Sequence, residues 1–567
     1  MITERVDDIP LLIAEFEKSQ LCEYLDQYFP DHGNWTGLSG GKVTVGFLTY
    51  ILSCSDHRLS QVEAWADSLV HSLRHCLASP DLRSKDFTDD RLGALLDRYS
   101  DEAKWDAFEA AHNQGLIRIY DLNTLSEPIR LDAMIAQSFR SADEEFKLGY
   151  AKQHRADLPQ LKVMLATIDP LAMPLVSVIA PGNKTDDVLY IPVIDKVIAN
   201  LGNTGQLFVA DAKLGSLANR AYMHQQGQYY LCPLGKKQCS PAQLQAYLKD
   251  KPEELAKVFS MQDGQDQLRA QAFELSEELY CEEYDLYWTE RRIVVHSSTW
   301  AEQQQRSLDQ RLDKAEEILG NLLERKQGKK VLKTKAEIEA RAAQIIEKQK
   351  LKGLIEVQVE EHIELVPIQK YGDRPAGFKE QRHFSLHIHS CEEELAQYRE
   401  NLGWRVYACN APMEQLSTKQ AVICYRQEYR IEHKFNELLN KITVLMPIFL
   451  KKPNRVKALI RLLLLALKFV SLIQHQARKE LKATGQYIKE LYPGNPGRKT
   501  TRPTTKMLLE AFQNITLVVV PMENQIFIKI SDLKPVQLQI LKLLKIPPEI
   551  YRNLEQIPFS RFDLGET

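Results

Sequence analysis

The sequence predicts an α/β protein with a helical N-terminal region, and two observations support this fold class. Residues 1–120 carry apolar side chains at helical spacing, such as Leu92, Leu95 and Tyr99 on one face. Residues 128–211 then change to β-branched apolar runs of strand length, interrupted by one amphipathic helix. The 567 residues are 44% hydrophobic and 26% charged, as in an ordinary globular protein with ample material for a core.

The second region predicts the order β-β-β-α-β. EPIRLDAMIAQSF is a strand that carries Asp132, and LKVMLATID and MPLVSVIAPG form a hairpin whose turn is at Asp169–Pro170. VLYIPVIDKVIANLG is an amphipathic helix, and TGQLFVADA is a short strand that ends in Asp211. If the first and last strands are neighbours, the two aspartates converge.

The rest of the chain alternates between short strands and charged helices. WAEQQQRSLDQRLDKAEEILG and KTKAEIEARAAQIIEKQK predict a helical hairpin, followed by exposed strands such as LIEVQVEEHIELV. WRVYACN returns to core-like sequence. QAVICYRQEYRIEHKFNELLNKI predicts one helix whose apolar stripe contains Ile431 and Phe435, with Glu428 and Glu432 on its flank.

Composition and motifs exclude several classes of protein. The chain begins MITERVDDIP, which has no secretory pattern, and Val456–Ile473 is interrupted by charges and predicts a buried helix instead of a membrane span. Nine scattered cysteines without a CxxC motif indicate reduced thiols. GLSGGKVT lacks the spacing of a phosphate-binding loop. His383, His387 and His389 share a strand face, where a polar surface is the preferred interpretation over a metal site.

Charge is distributed unevenly along the chain. The formal net charge is −3, yet residues 1–130 hold 12 Lys and Arg against 22 Asp and Glu, and residues 451–506 hold 14 against 2. A basic segment of this kind is typical of polyanion binding, with a solvated basic face as the alternative. The loop PGNPGRKTTRPTTK within it suits a DNA backbone or a flexible linker.

Paired acids at strand ends suggest metal-dependent phosphoryl transfer. Two-metal catalysis needs carboxylates that bridge cations roughly 4 Å apart, and Mg²⁺ prefers such oxygen ligands. An aspartate after an apolar run is more often a turn or helix-cap residue, so Asp132 and Asp211 alone leave this question open.

Segments along nearly the whole chain resemble bacterial insertion-sequence DDE transposases, in the superfamily named for insertion sequence four and its branch named for insertion sequence 1634. The resembling segments are HGNWTGLS, DHRLSQVEAWA, DFTDDRLGALL, IRLDAMIA, LGYAKQHRADLPQLKVMLATIDPLAMPL, IAPGNKTDDVLYIPVI, LFVADAKLGS, YRQEYRIEHKFNELLNK, KKPNRVKALIRLLLLALKFVSLI and GRKTTRPTTKMLLEAF. The resemblance implies an RNase H-like catalytic core interrupted by a β-rich and helical-hairpin insertion.

The resemblance also implies the division of the chain. We expect a helical N-terminal domain that binds DNA ends, a core in two parts, an insertion between them and a C-terminal extension. The N-terminal domain is residues 1–120, and the two parts of the core are residues 125–224 and 406–480. The insertion is residues 225–405, and the C-terminal extension is residues 481–567.

The resemblance assigns Asp132, Asp211 and Glu432 as catalytic ligands of two Mg²⁺ ions, for which Mn²⁺ can substitute. Geometry permits Glu428 as the third acid, but the family spacing from Tyr425 selects Glu432. This chain departs from the family pattern because Glu428 replaces an arginine, Leu439 replaces a lysine, and Ala133 and Met134 stand where relatives have Ser or Thr.

Further residues are expected to contact DNA. These are Tyr425, Arg426, Arg430, His154, Arg155, Arg498, Lys499, Arg502 and Lys506. His154 and Arg155, with Asp157, are equally compatible with a hydrogen-bonded turn.

The expected activity is hydrolysis of phosphodiester bonds at transposon ends and strand transfer into target DNA. The expected partners are double-stranded DNA and a second copy of the chain, in the bacterial cytoplasm and without a membrane. Three alternatives remain: a catalytically inactive, transposase-derived DNA-binding protein, a nuclease without strand transfer, and a scaffold that binds partners through the charged helical hairpin.

Overall fold

A computed structural model describes nine segments of the chain. They are residues 1–124, 127–138, 141–149, 157–262, 265–324, 332–368, 377–437, 448–521 and 526–556. His154 and Arg155 therefore lie outside the described residues, as do Leu438, Leu439, Lys441 and Ile442.

The N-terminal region is helical, as predicted, except for one short strand at its start. Its elements are β1 (Ile2–Arg5), α1 (Ile9–Lys18), α2 (Leu21–Tyr28), α3 (Gly40–Cys54), α4 (Leu59–Asp67), α5 (Val70–Cys76), α6 (Asp89–Tyr99) and α7 (Glu102–Tyr120). Side-chain caps define several helix starts; Thr88 accepts from the Arg91 N–H before α6, and Asp101 accepts from the Lys104 N–H before α7.

The predicted β-β-β-α-β order is confirmed and continues with a further helix and strand. The elements are β2 (Ile129–Gln137), β3 (Gln160–Ile168), β4 (Met173–Pro181), α8 (Asp187–Leu201), β5 (Leu207–Ala210), α9 (Leu217–Gln225) and β6 (Tyr229–Pro233). Helix α8 ends at Leu201 and is capped by Gly202, whose φ of +66° is the left-handed conformation that glycine adopts at helix ends without strain. These elements supply five consecutive strands of the main sheet, from the edge strand β4 to β6.

The segment predicted as an insertion does not form a separate layer. Its elements are α10 (Pro241–Lys249), β7 (Ala256–Gln262), β8 (Gln265–Cys281), β9 (Leu286–His296), α11 (Ser298–Gly320), α12 (Lys335–Lys348), β10 (Ile355–Ile368), β11 (Gly377–Ser390) and α13 (Glu392–Glu400), with β12 (Trp404–Cys409) after it. Strands β7–β9 join the main sheet through β12. Helices α11 and α12 form the predicted hairpin and share a small core with the two-stranded ribbon β10–β11.

The main sheet has nine strands in the order β4-β3-β2-β5-β6-β12-β9-β8-β7. Strands β2, β5 and β6 are parallel, whereas β3, β4 and β12 run antiparallel to their neighbours. Strands β2 to β5 read as almost continuous apolar runs because both faces of the sheet are covered. The protein therefore has a mixed α/β fold built on one large mixed sheet.

The C-terminal part returns to the N-terminal helices. Its elements are α14 (Thr418–Arg426), α15 (Tyr429–Asn436), α16 (Pro453–Thr484), α17 (Thr505–Glu510), β13 (Thr516–Pro521), β14 (Ile526–Ile530), α18 (Pro535–Leu544) and α19 (Glu549–Arg552). Strand β13 lies between β14 and β1 in a second, three-stranded sheet. One hydrophobic core runs through the N-terminal helices, the main sheet and α16. The domain boundaries predicted from the sequence stay predictions.

Helix α16 is the buried helix expected from its sequence. Residues from Val456 to Ile473 are almost all buried, including Arg461 and Lys468. Arg461 donates to the Tyr99 carbonyl at 2.8 Å, and Lys468 donates to Asn113 Oδ1 at 2.6 Å with Glu109 at 3.6 Å. Among the described helices, none is long and apolar enough to cross a membrane.

Much of the basic charge near α16 is paired with the acidic N-terminal half. Arg455 binds Asp97, with its closest nitrogen 2.6 Å from the carboxylate, and Lys479 lies 3.2 Å from Asp121. Together with the buried Lys468, these contacts use opposite charges that are far apart in sequence. The uneven charge of the sequence therefore provides ion pairs between distant parts of the chain, in addition to any role in DNA binding.

Burial of His112 makes stability sensitive to acid. Its ring stacks on Phe108, with centroids 5.5 Å apart, and within the described residues neither ring nitrogen has a hydrogen-bond partner. Burial, with the nearby Lys468 charge, holds the pKa of His112 well below its usual 6.5. Below pH 6.5 the unfolded chain binds a proton that the folded chain rejects, so stability falls as the pH decreases.

We expect His112→Phe to reduce this acid sensitivity because phenylalanine keeps the ring contacts and cannot titrate. The urea-unfolding free energy of the variant should fall less between pH 6.5 and 5, by up to about 1.4 kcal/mol per pH unit. The exposed His389→Gln is the matched control. Equal pH slopes for the parent chain and His112→Phe would contradict the prediction.

Candidate active site

The parallel pairing of β2 with β5 places two aspartates side by side. The register joins Ile129 to Phe208 and Leu131 to Ala210, so Asp132 and Asp211 are the next residues on the two strands. Adjacent strands lie about 4.8 Å apart. The two aspartates therefore lie side by side, as the sequence predicts if their strands are neighbours.

The carboxylate of Asp211 is held by donors on two sides. The Tyr190 hydroxyl donates to Asp211 Oδ1 at 2.7 Å, and the Lys213 N–H donates to the same oxygen at 3.0 Å. Burial and the negative charge of Asp211 raise the pKa of Tyr190 well above its usual range. Tyr190 therefore remains a protonated donor that fixes the orientation of Asp211.

A lysine stands beside the two aspartates. Lys213 pairs with Asp186 at the start of α8, and Asp186 is bound from its other side by Lys162. Partial burial lowers the pKa of Lys213, but the hydrogen bond to Asp186 and the charges of Asp211 and Asp132 outweigh it and raise this pKa. A half-exposed, permanently charged ammonium group therefore lies at the site.

The helix predicted around Glu432 is broken into α14 and α15. The Arg130 guanidinium donates to the Cys424 carbonyl at 2.9 Å. The Glu428 N–H then bonds to the Tyr425 carbonyl, three residues back, at 3.0 Å. This tight turn leaves Glu428 at the junction and Glu432 in the first turn of α15, so the single helix face expected for Tyr425, Glu428 and Glu432 is interrupted.

The two candidate glutamates have different environments. Glu428 is half-buried; burial raises its pKa, the charges of Asp211 and Glu432 add to the rise, and a hydrogen bond with Tyr425 opposes it. Glu432 is exposed. Glu428 thus interacts with Asp211, whereas family spacing selects Glu432.

Both glutamates line a cavity of about 320 Å³ between the sheet and α14–α15. Its walls include Trp300, Tyr407 and Arg405, and the Arg405 guanidinium lies 3.6 Å from the Trp300 ring centre. Among the described residues, no group of three His, Cys, Asp or Glu side chains converges closely enough to hold a metal ion. The two aspartates are adjacent, but within the described residues neither glutamate forms such a group with them.

The residues expected to contact DNA have unequal access. Tyr425 is buried against the Tyr407 ring, and Arg430 pairs with Asp169 at 3.0 Å. Tyr425 is therefore mostly shielded from solvent, whereas the side chain of Arg430 remains 24% exposed. Arg426 is exposed and donates to the Arg269 carbonyl at 3.1 Å.

The basic loop after α16 is exposed and bears aromatic side chains. Arg498 lies over the Tyr492 ring at 4.0 Å, and Lys499 lies over the Tyr487 ring at 4.2 Å. Arg502 and Lys506 are also exposed, and Lys506 lies 3.7 Å from Glu510. This loop retains accessible positive charge that the buried part of α16 does not.

Sequence reasoning missed several residues that shape the site. Alternation along β2 puts Arg130 on the face of Asp132, and Lys213 follows Asp211 by two residues, so both were detectable by spacing. Tyr190 lies 21 residues from Asp211, and Asp169 lies 37 residues from Asp132 in sequence. Only the fold brings them to the site.

Comparison with known proteins identifies the family. Residues 131–469, more than half of the chain, match the model described as "Transposase DDE domain", and residues 1–110 match a domain of unknown function. No curated protein matches significantly.

A cryo-EM structure of the piggyBac transposase synaptic complex with hairpin DNA is similar over 97% of this chain and 85% of that chain. The identity is 8% and the TM-score 0.34, values that establish neither fold nor function by themselves. The extent of the family match does establish membership, and the chain belongs to the family of transposases with a DDE domain.

Proposed function

We propose that the protein is a DNA transposase that hydrolyses phosphodiester bonds at transposon ends and joins the freed 3′ ends to target DNA. The observation that carries this proposal is the adjacency of Asp132 and Asp211 on parallel strands inside the segment that matches the DDE domain. The partners are double-stranded DNA and a second copy of the chain, in the bacterial cytoplasm. An RNase H-like core is the fold expected for this chemistry.

Two carboxylates and one glutamate would hold the metal ions. Asp132 and Asp211 provide oxygen ligands of the kind that Mg²⁺ or Mn²⁺ prefers, and Glu432 is proposed as the third ligand. When bound, two such ions lower the pKa of water and stabilise charge on the attacking and leaving oxygens. For this purpose Glu432 has to approach the aspartates more closely than it does here.

The side chains around the acids have distinct tasks. Tyr190 holds the Asp211 carboxylate in one orientation, and Lys213 offers a positive charge to the phosphate that approaches the two aspartates. Water and then the freed 3′ hydroxyl are the nucleophiles, so no covalent bond between protein and DNA is required.

A catalytically inactive DNA-binding relative is the second candidate. It is favoured by one observation, the lack of a three-acid cluster among the described residues. Metal-dependent cleavage of DNA that contains the element's ends separates the two candidates, because an inactive relative binds such DNA without cutting it.

We expect Asp132→Asn and Asp211→Asn each to abolish cleavage while DNA binding persists. Loss of a metal ligand should slow the reaction roughly a thousandfold, which corresponds to about 4 kcal/mol. Single-turnover cleavage and a gel-shift assay measure the two properties. The exposed Asp187→Asn controls for charge loss nearby, and near-normal cleavage by either site variant would remove that aspartate from the mechanism.

The two glutamates are distinguished by a matched pair of variants. We expect Glu432→Gln to be inactive with Mg²⁺ and Mn²⁺, and Glu428→Gln to retain measurable cleavage, because the family spacing assigns the ligand to Glu432. Rates with each metal decide between them. The reverse pattern would assign the third ligand to Glu428, the residue that already interacts with Asp211.

The basic loop is expected to contribute non-specific DNA affinity. The test replaces Arg498, Lys499, Arg502 and Lys506 by alanine. Affinity should fall, and the log–log salt dependence of binding should flatten by about 0.9 for each lost phosphate contact.

The control for this experiment removes the same number of exposed positive charges near α12. Its substitutions are Lys333→Ala, Lys335→Ala, Arg341→Ala and Lys348→Ala. An unchanged salt slope in the loop variant, or an equal change in both variants, would show that the loop has no special contact with DNA.

A further inference from the structure

A buried charge network lies next to the aspartate pair. Asp169, in the turn between β3 and β4, accepts from Arg130 Nε at 2.8 Å, and Arg430 Nη1 lies 3.0 Å from the same carboxylate oxygen. Arg130 belongs to β2 and Arg430 to α15. One carboxylate therefore joins the catalytic strand, the hairpin turn and the glutamate-bearing segment.

Burial restricts the partners that the charges of this network can have. The side chains of Arg130 and Asp169 are each 1% exposed, and that of Arg430 is 24% exposed. A buried charge without a partner is strongly destabilising, so Asp169 has to be met by cations wherever the chain is folded. Arg130 supplies the permanent partner, and the more accessible Arg430 supplies a partner that can detach.

The network reaches the site from both ends. Arg130 precedes Asp132 by two residues on the same strand face, and its Nη2 also donates to the Cys424 carbonyl at the end of α14. Arg430 stands two residues after Glu428 and two before Glu432. The contacts of Arg130 and Asp169 therefore link the segment that carries both glutamates to the strand that carries Asp132.

We infer that the Arg130–Asp169–Arg430 network positions the glutamate-bearing segment against the catalytic strand, with Arg430 as the residue that docks α15. This inference rests on the proposed function, because positioning matters only if one of these glutamates acts with Asp132 and Asp211. It also changes the expected role of Arg430, from a phosphate contact to an internal positioning residue.

The test compares Arg430→Gln with Arg430→Lys and with the matched control Lys419→Gln, which removes an exposed charge from α14. Cleavage of end-containing DNA gives kcat and KM for the full-length variants. We expect Arg430→Gln to lower kcat roughly 10- to 100-fold, as loss of a supporting contact does. KM should match that of the parent chain and of Lys419→Gln, and Arg430→Lys should restore most of kcat because one donor suffices for Asp169.

A second readout does not depend on activity. Hydrogen exchange of the amides in residues 418–437 should accelerate in Arg430→Gln and not in Lys419→Gln, because only the former releases α15. The fold should survive, since Arg130 still neutralises Asp169. A raised KM with normal kcat and unchanged exchange would overturn the inference in favour of a DNA contact.

Failure of the inference and failure of the proposed function give different results. If Asp132→Asn is inactive and Arg430→Gln retains full kcat and normal exchange, only the positioning role is wrong. If Asp132→Asn cleaves as fast as the parent chain, the proposed function is wrong as well.

Discussion

The parallel pairing of β2 with β5 is the constraint on which the site depends. A strand pair of this kind needs a crossover, and α8 provides it while delivering Tyr190 to Asp211. A shift of one residue in the register would move Asp132 away from Asp211 and turn Arg130 and Asp132 to the opposite face of the sheet. The buried ion pair of Arg130 with Asp169 therefore helps to fix the alignment of the two acids.

Contacts between distant parts of the chain also explain the uneven charge of the sequence. Cations in and around α16 meet acids of the N-terminal helices, as Arg455 meets Asp97 and Lys468 meets Glu109. Some of the basic residues that a sequence count assigns to DNA binding therefore form ion pairs inside the protein. The exposed loop with Arg498 and Lys499 differs because its cations lie over tyrosine rings at the surface.

Sequence patterns predicted the strands around Asp132 and Asp211 and the burial of α16 because these features are local and periodic. They did not reveal that β7–β9 extend the main sheet, since strand partners far apart in sequence leave no local signal. The break before α15 was missed for a related reason. The break lies beside the hydrogen bond that Arg130 donates to the Cys424 carbonyl of α14, nearly 300 residues later in the chain.

The pairing of β1 with β13 has a consequence for synthesis on the ribosome. Asp7 accepts from the Ile515 N–H across 508 residues of sequence, beside the register of Ile2 with Val519. At about 5–20 residues per second, translation needs roughly half a minute to two minutes to produce the partner strand. During that time the first strand of the nascent chain has an open edge, and the three-stranded sheet closes only when the partner has left the exit tunnel.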